Sequence, residues 1–151
     1  MQPSMNEARL KSYIFIRREV DHQMERLKEL ENDTLIPAIK QGESSQHAGG
    51  RSDRMVNAII RLMNYKDEIA DDMERKMDEM DAIKGAVASL ADPREREVLR
   101  LRYIDCKGYR HTGWRIVAQK MYGDDDEAQL QMVYRIHRKA LLNIGKVGAV
   151  K

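Results

Sequence analysis

From Met55 onward, alternate steps of four and three residues trace one line along a helix: Met55, Ile59, Leu62, Lys66, Ile69, Met73, Lys76, Met80, Ile83, Val87 and Leu90. Nine of these eleven positions are apolar, so a single stripe is sustained over about five heptads. At ~1.5 Å rise per residue the helix would be ~54 Å long, and its stripe has nothing to bury against in water. It requires a partner: an earlier helix folded back antiparallel, another chain, or both. Lys66 and Lys76 interrupt the stripe, and either marks a candidate end of the partner helix. Met63, Met73, Met77 and Met80, at or beside the seam, read as adaptable packing rather than a ligand cage.

The partner helix is expected upstream. Over Asn6 to Leu30, the residues Leu10, Tyr13, Ile14, Val20, Met24, Leu27 and Leu30 recur at helical spacing. A segment without apolar period follows, "QGESSQHAGGRS" from Gln41 to Ser52, whose glycines and serines predict a flexible link. Ser52 or Asp53 is then placed to cap the long helix.

Asp92-Pro93 punctuates the chain. Asp92 fits an N-cap, Pro93 the first helical position, where a missing N–H costs nothing, and Glu95 the reciprocal partner of a capping box. The residue before a proline disfavours the helical conformation, so the long helix ends by Ala91. The expected domains are therefore a helical hairpin or coiled coil over 1–91, with its link near 41–52, and a second domain over 92–151.

The second domain reads as three short helices. Val98, Leu99, Leu101, Tyr103 and Ile104 form a wide apolar band after Pro93. Thr112 is the expected N-cap of the next helix, where Trp114, Val117, Ala118 and Met121 share a face, and Gly123 suits a left-handed stop. In the last helix, a projection at 100° per residue turns Leu130, Val133, Ile136, Ala140 and Ile144 to one side. Gln131, Tyr134, Arg135, Arg138 and Lys139 take the other. The helix is expected to end near Ile144, with Gly145 and Gly148 loosening the tail.

Charge separates the two parts. From Pro93 to Lys151 there are 13 Lys/Arg against 7 Asp/Glu, a net of +6, whereas Met1 to Asp92 carries 14 against 18, a net of −4. A basic end on an acidic remainder points to a polyanionic partner. Two helices joined by a turn, with small Ala118 at the crossing, make a helix-turn-helix. Arginine can read guanine bidentately, glutamine adenine, and Lys and Tyr can hold phosphate. The expected DNA contacts are Gln131, Tyr134, Arg135, Arg138 and Lys139 on the last helix.

"LADPREREVLRLRYI", "WRIVAQKM" and "VYRIHRKAL", in that order, resemble region four of bacterial sigma factors, and most closely the small phage and prophage regulators of the RinA/ArpU-like type. The resemblance covers most of the chain, because a helix, a Ser/Gly-rich link and a long helix also precede the "DPRER" box. It implies a trihelical DNA-reading module acting with RNA polymerase at a promoter, with Arg115 approaching the DNA backbone from the supporting helix. One feature departs from the pattern. Ala118 to Val133 spans fifteen residues, where the pattern has about ten, and the excess includes the acids Asp124 to Glu127. Either the turn is an enlarged loop held away from DNA, or the helix begins early and docks differently.

Other features have plainer readings. His137 falls on the inward side, as a packed or hydrogen-bonded histidine. Cys106 is the sole cysteine, which rules out an intramolecular disulfide and leaves the pair Cys106 and His111 short of a structural zinc site. The acidic run lacks the alternation and glycine of a calcium loop and reads as a solvated cap. Trp114 reads as core. No phosphate loop or nucleophile motif is present, so neither enzyme activity nor a cofactor is expected. No stretch approaches the roughly eighteen apolar residues of a membrane span, and the N-terminus lacks a long apolar core. A cytoplasmic all-α protein is expected: a DNA-binding transcription regulator, homodimeric through its N-terminal helices. The alternative is a helical adaptor whose basic helices bind an acidic protein partner.

Overall fold

A wide apolar band on one short helix has to serve two sets of neighbours, and this decides how the chain packs. The computed structural model describes residues 4–43 and 48–149, with side chains described over 4–35 and 53–147. The described residues are all-α: α1 (Glu7–Glu43), α2 (Ala48–Ala88), α3 (Pro93–Leu99) continued by a π-helical turn (Arg100–Ile104), α4 (Trp114–Tyr122) and α5 (Glu127–Ala149). The chain divides into two compact units. One comprises 1–18 and 78–151, the other 19–77.

The first unit has two apolar clusters, and α3 with its π turn feeds both. Val98 and Leu101 join Val117 and Ala118 of α4 and Leu130, Val133 and Ile136 of α5. Leu99 and Tyr103 join Met5, Leu10 and Tyr13 at the chain's start, Ile83, Val87 and Leu90 around the end of α2, and Ala140 and Ile144 of α5. The π turn closes with the Asp105 N–H donating to the Arg100 carbonyl five residues back, at 2.7 Å. This wider winding shifts the register of the band part-way along the helix. Asp92 caps α3 as the sequence requires, its side chain accepting from the Arg94 N–H at 2.8 Å. Glu95 is buried, and its Oε1 accepts from Asn143 Nδ2 of α5 at 2.6 Å.

The expected boundary at Asp92 thus falls inside a compact unit. The turns of α1 and α2 nearest the core complete it. Arg17 adds a polar tie by donating to the carbonyls of Cys106 and Gly108 in the loop before α4.

The second unit pairs α1 with α2, and Leu30, Ala58 and Ile69 are buried among its described residues. Lys76 does not end the pairing. Its ammonium lies 2.9 Å from Glu19 Oε2 and 2.6 Å from Asp72 Oδ2, and Gln23 Nε2 donates to the same Asp72 oxygen at 3.0 Å. The stripe absorbs a lysine by giving it carboxylates on both helices. Hydrogen bonding to Lys76 holds the Asp72 carboxyl below its usual range.

Several boundaries differ from expectation. α1 continues beyond Leu30 to Glu43, and α2 starts at Ala48, ahead of Ser52 and Asp53, so neither is its N-cap. Gly49 and Gly50 therefore lie in the first turn of the helix. The core of the expected link, 44–47, lies outside the described residues. Met24 is exposed rather than part of the α1 stripe, as are Ile59, Met63 and Met77 on or beside that of α2. α4 begins at Trp114 with Gly113 as its cap, because Thr112 is tied instead to Arg102, whose Nη1 donates to the Thr112 carbonyl at 2.6 Å. Gly123 adopts φ 72° and closes α4, as its position suggests. α5 runs past Gly145 and Gly148 to Ala149. At Gly145 an added Cβ would lie 3.8 Å from the Met5 carbonyl oxygen.

Leu10 is fully buried and Met24 is 54 % exposed. Leu10→Ala is expected to cost ~2–5 kcal/mol in urea unfolding, against a change within about 0.5 kcal/mol for Met24→Ala.

Candidate nucleic-acid interface

Twenty-three residues of α5 carry two opposite faces. Leu130, Val133, Ile136, Ala140 and Ile144 are all buried, as the projection requires. On the other side Gln131, Arg135, Arg138 and Lys139 are exposed, and the two arginines and the lysine make no hydrogen bond or ion pair among the described residues. Because the inward residues anchor the helix along its length, the outward guanidinium groups ride on a rigid support.

Tyr134 does not belong to that row. It is half-buried, with its ring edge-on to Trp114 at 5.5 Å between centroids. At 100° from Val133 it sits on the flank of the helix, where the Trp114 ring of α4 covers it. This edge contact packs α5 against α4. Met132 and Leu142 are also exposed, Leu142 at 70 %. Leu142 lies 180° from Val133, in the middle of the outward row; the projection already put it there, but its apolar character hid it among candidates chosen for charge.

Arg115 is exposed on the first turn of α4, and it has a partner. Its Nη1 lies 3.9 Å from Asp125 Oδ2 and donates to the Asp125 carbonyl at 3.4 Å. Gln131 is similarly engaged, its Nε2 donating to Glu127 Oε1 at 3.0 Å. Asp125, in the turn between α4 and α5, and Glu127, the first residue of α5, therefore hold two of the residues expected to touch DNA. Asp124, Asp125 and Asp126 each bring a carboxylate oxygen within 4.8 Å of the others. Hydrogen bonding to Asp124 and repulsion from it raise the Asp126 carboxyl above its usual range.

Beneath the exposed row lies a cluster that fixes the pitch of α5. His137 is buried, with Nε2 2.7 Å from the Tyr103 hydroxyl and its ring edge-on to Trp114 at 4.6 Å. Arg102 stacks over the same ring, its guanidinium carbon 4.3 Å from the Trp114 centroid. Burial pushes the Tyr103 phenol up to about 12, so it stays protonated and can donate to an unprotonated Nε2. Burial also lowers the His137 imidazole, with Arg102 and Lys11 adding to the effect and Glu7 opposing it. His111, whose ring meets Tyr103 at 5.5 Å, is lowered by burial and by Arg102. The thiol of buried Cys106 donates to the Arg102 carbonyl at 3.1 Å. No family model, curated protein or solved structure matches the chain, and no helix among the described residues is long and apolar enough to cross a membrane.

The two histidines set a pH dependence. Both hold their proton less tightly when folded than the ordinary value of 6.5, so the unfolded chain binds more protons below that value. Stability is full above the unfolded value and falls as the pH drops through it. Melting temperature is expected to decline between about pH 7.5 and about pH 5.5. His137→Gln, measured at both values, should show a smaller decline and a lower melting temperature at the upper one.

Proposed function

We propose that the protein is a non-enzymatic, sequence-specific DNA-binding transcription regulator. In this reading α4 and α5 form a helix-turn-helix, with α5 as the recognition helix. One observation carries it: α5 is anchored along one whole face by buried apolar residues, while its opposite face presents Arg135, Arg138 and Lys139 unengaged beside Gln131. A rigid helix with a basic outward row fits a major groove, where arginine can take guanine bidentately. Arg115, on the supporting helix and paired with Asp125, is the residue this reading assigns to a phosphate contact. The resemblance to sigma region four and to RinA/ArpU-like phage regulators supports a promoter as the site and RNA polymerase as a partner. Self-association is assigned to the N-terminal helices, because Val56, Ile59, Ile60 and Met63 of α2 are exposed on a helix built as a hairpin or coiled-coil element.

Arg135→Ala is expected to cost ~1–3 kcal/mol on the cognate duplex and much less on a scrambled one, because it removes a base contact. Arg115→Ala should weaken both duplexes alike, since phosphate contacts carry no sequence information. Titration by fluorescence anisotropy compares them. Equal losses for Arg135→Ala on both duplexes would exclude base reading by α5, and no loss on either would favour an acidic protein partner. Light scattering at micromolar concentration should give twice the chain mass of 17.6 kDa. A monomer would remove self-association from the proposal.

A further inference from the structure

The turn from α4 into α5 places four consecutive acids, Asp124 to Glu127, beside the face assigned above to DNA. Some of this charge serves the helix. The Asp126 N–H donates to Asp124 Oδ1 at 3.2 Å, and the Leu130 N–H to the Asp126 carbonyl at 2.9 Å, which starts α5 in a defined position. Asp125 makes no such contact. Its side chain and carbonyl both face Arg115, while Glu127 takes Gln131. A helix start offers unpaired N–H groups and the positive end of its dipole, an arrangement suited to phosphate. Here the chain's own carboxylates stand at that place.

We propose that the acidic turn is an intramolecular electrostatic gate, in which Asp125 competes with DNA phosphate for Arg115 and its neighbours repel the backbone. The gate suppresses binding to arbitrary sequence and leaves discrimination to Arg135, Arg138 and Lys139. This inference rests on the DNA-binding reading. An exposed ion pair such as Arg115 with Asp125 is itself weak, so DNA can displace it. The larger effect is repulsion of phosphate, which salt screens over about 10 Å at ~0.1 M.

The test uses the full chain and a random-sequence duplex, titrated across a salt series. Asp125→Asn keeps the shape of the side chain and removes its charge. It is expected to tighten binding about fivefold at low salt, with the gain vanishing at high salt. Combining it with Asp124→Asn and Asp126→Asn, which retain the Oδ1 acceptor, should raise the gain above about tenfold. Asp105→Asn, exposed and paired with Arg100, controls for net charge and should give little change. In an Arg115→Ala background the gain from Asp125→Asn should shrink. An equal gain from Asp105→Asn, or none from Asp125→Asn while the unaltered protein binds DNA, would overturn the gate alone. Failure of every form to bind any duplex would overturn the DNA-binding reading with it.

Discussion

A single short helix holds the first unit together because it is apolar on two sides. Leu99 and Tyr103 look toward the start of α1 and the end of α2, while Val98 and Leu101 look toward α4 and α5. Neither cluster is large. Met5, Leu10 and Tyr13 share the first cluster with Ala140 and Ile144 on the inward face of α5. The basic helices are therefore not energetically separable from the chain's beginning, although Asp92-Pro93 stops one helix and starts the next. A proline with a good N-cap is local punctuation, whereas a domain boundary is set by where buried area stops crossing.

Among the described residues, several of the buried or half-buried polar groups have partners. Lys76 lies within the α2 stripe and draws on Glu19 and Asp72. Glu95 is buried but meets Asn143, and His137 is buried but meets Tyr103. Each solution joins residues far apart in the chain. Such pairs favour one register over its neighbours, since a slip by a turn would strand a charge or a ring nitrogen in an apolar setting. The apolar stripes alone would tolerate such a slip more easily.

Much of this was legible in the sequence because it follows from period and capping. The inward residues of α5 are those on one side of a 100° projection, Gly123 occupies the left-handed position it suits, and Asp92 caps α3. What was not legible depends on distant partners. Helical period marks which residues share a side, not whether anything arrives to cover that side, so Met24 and Ile59 read as seam positions and are exposed. Tyr134 has the residue type of a phosphate contact, but Trp114 lies over its flank of the helix. Thr112 has the chemistry of a cap, but Arg102 claims its carbonyl. The engagement of Arg115 by Asp125 needs a turn geometry that residue order does not reveal.

Stability and the proposed function place opposite demands on the turn before α5. Carboxylates there lower the free energy of the helix by meeting its dipole and its first N–H groups. Under the proposed reading they also face the molecule the helix is meant to approach. A neutral cap would serve the helix nearly as well, and asparagine ranks with aspartate at this position. Crowding three carboxylates within 4.8 Å therefore goes beyond what capping requires, and it raises Asp126 against its neighbours. Under the proposed reading such a cost has a use, because it lowers affinity for arbitrary DNA. A genome offers far more wrong sites than right ones, so occupancy of the correct site depends on the ratio of specific to non-specific affinity rather than on either alone. Fixed negative charge beside the face proposed to read DNA would lower the non-specific term, which is almost wholly electrostatic. Contacts from Arg135 to a base edge would be less affected, because their discrimination comes from hydrogen-bond geometry.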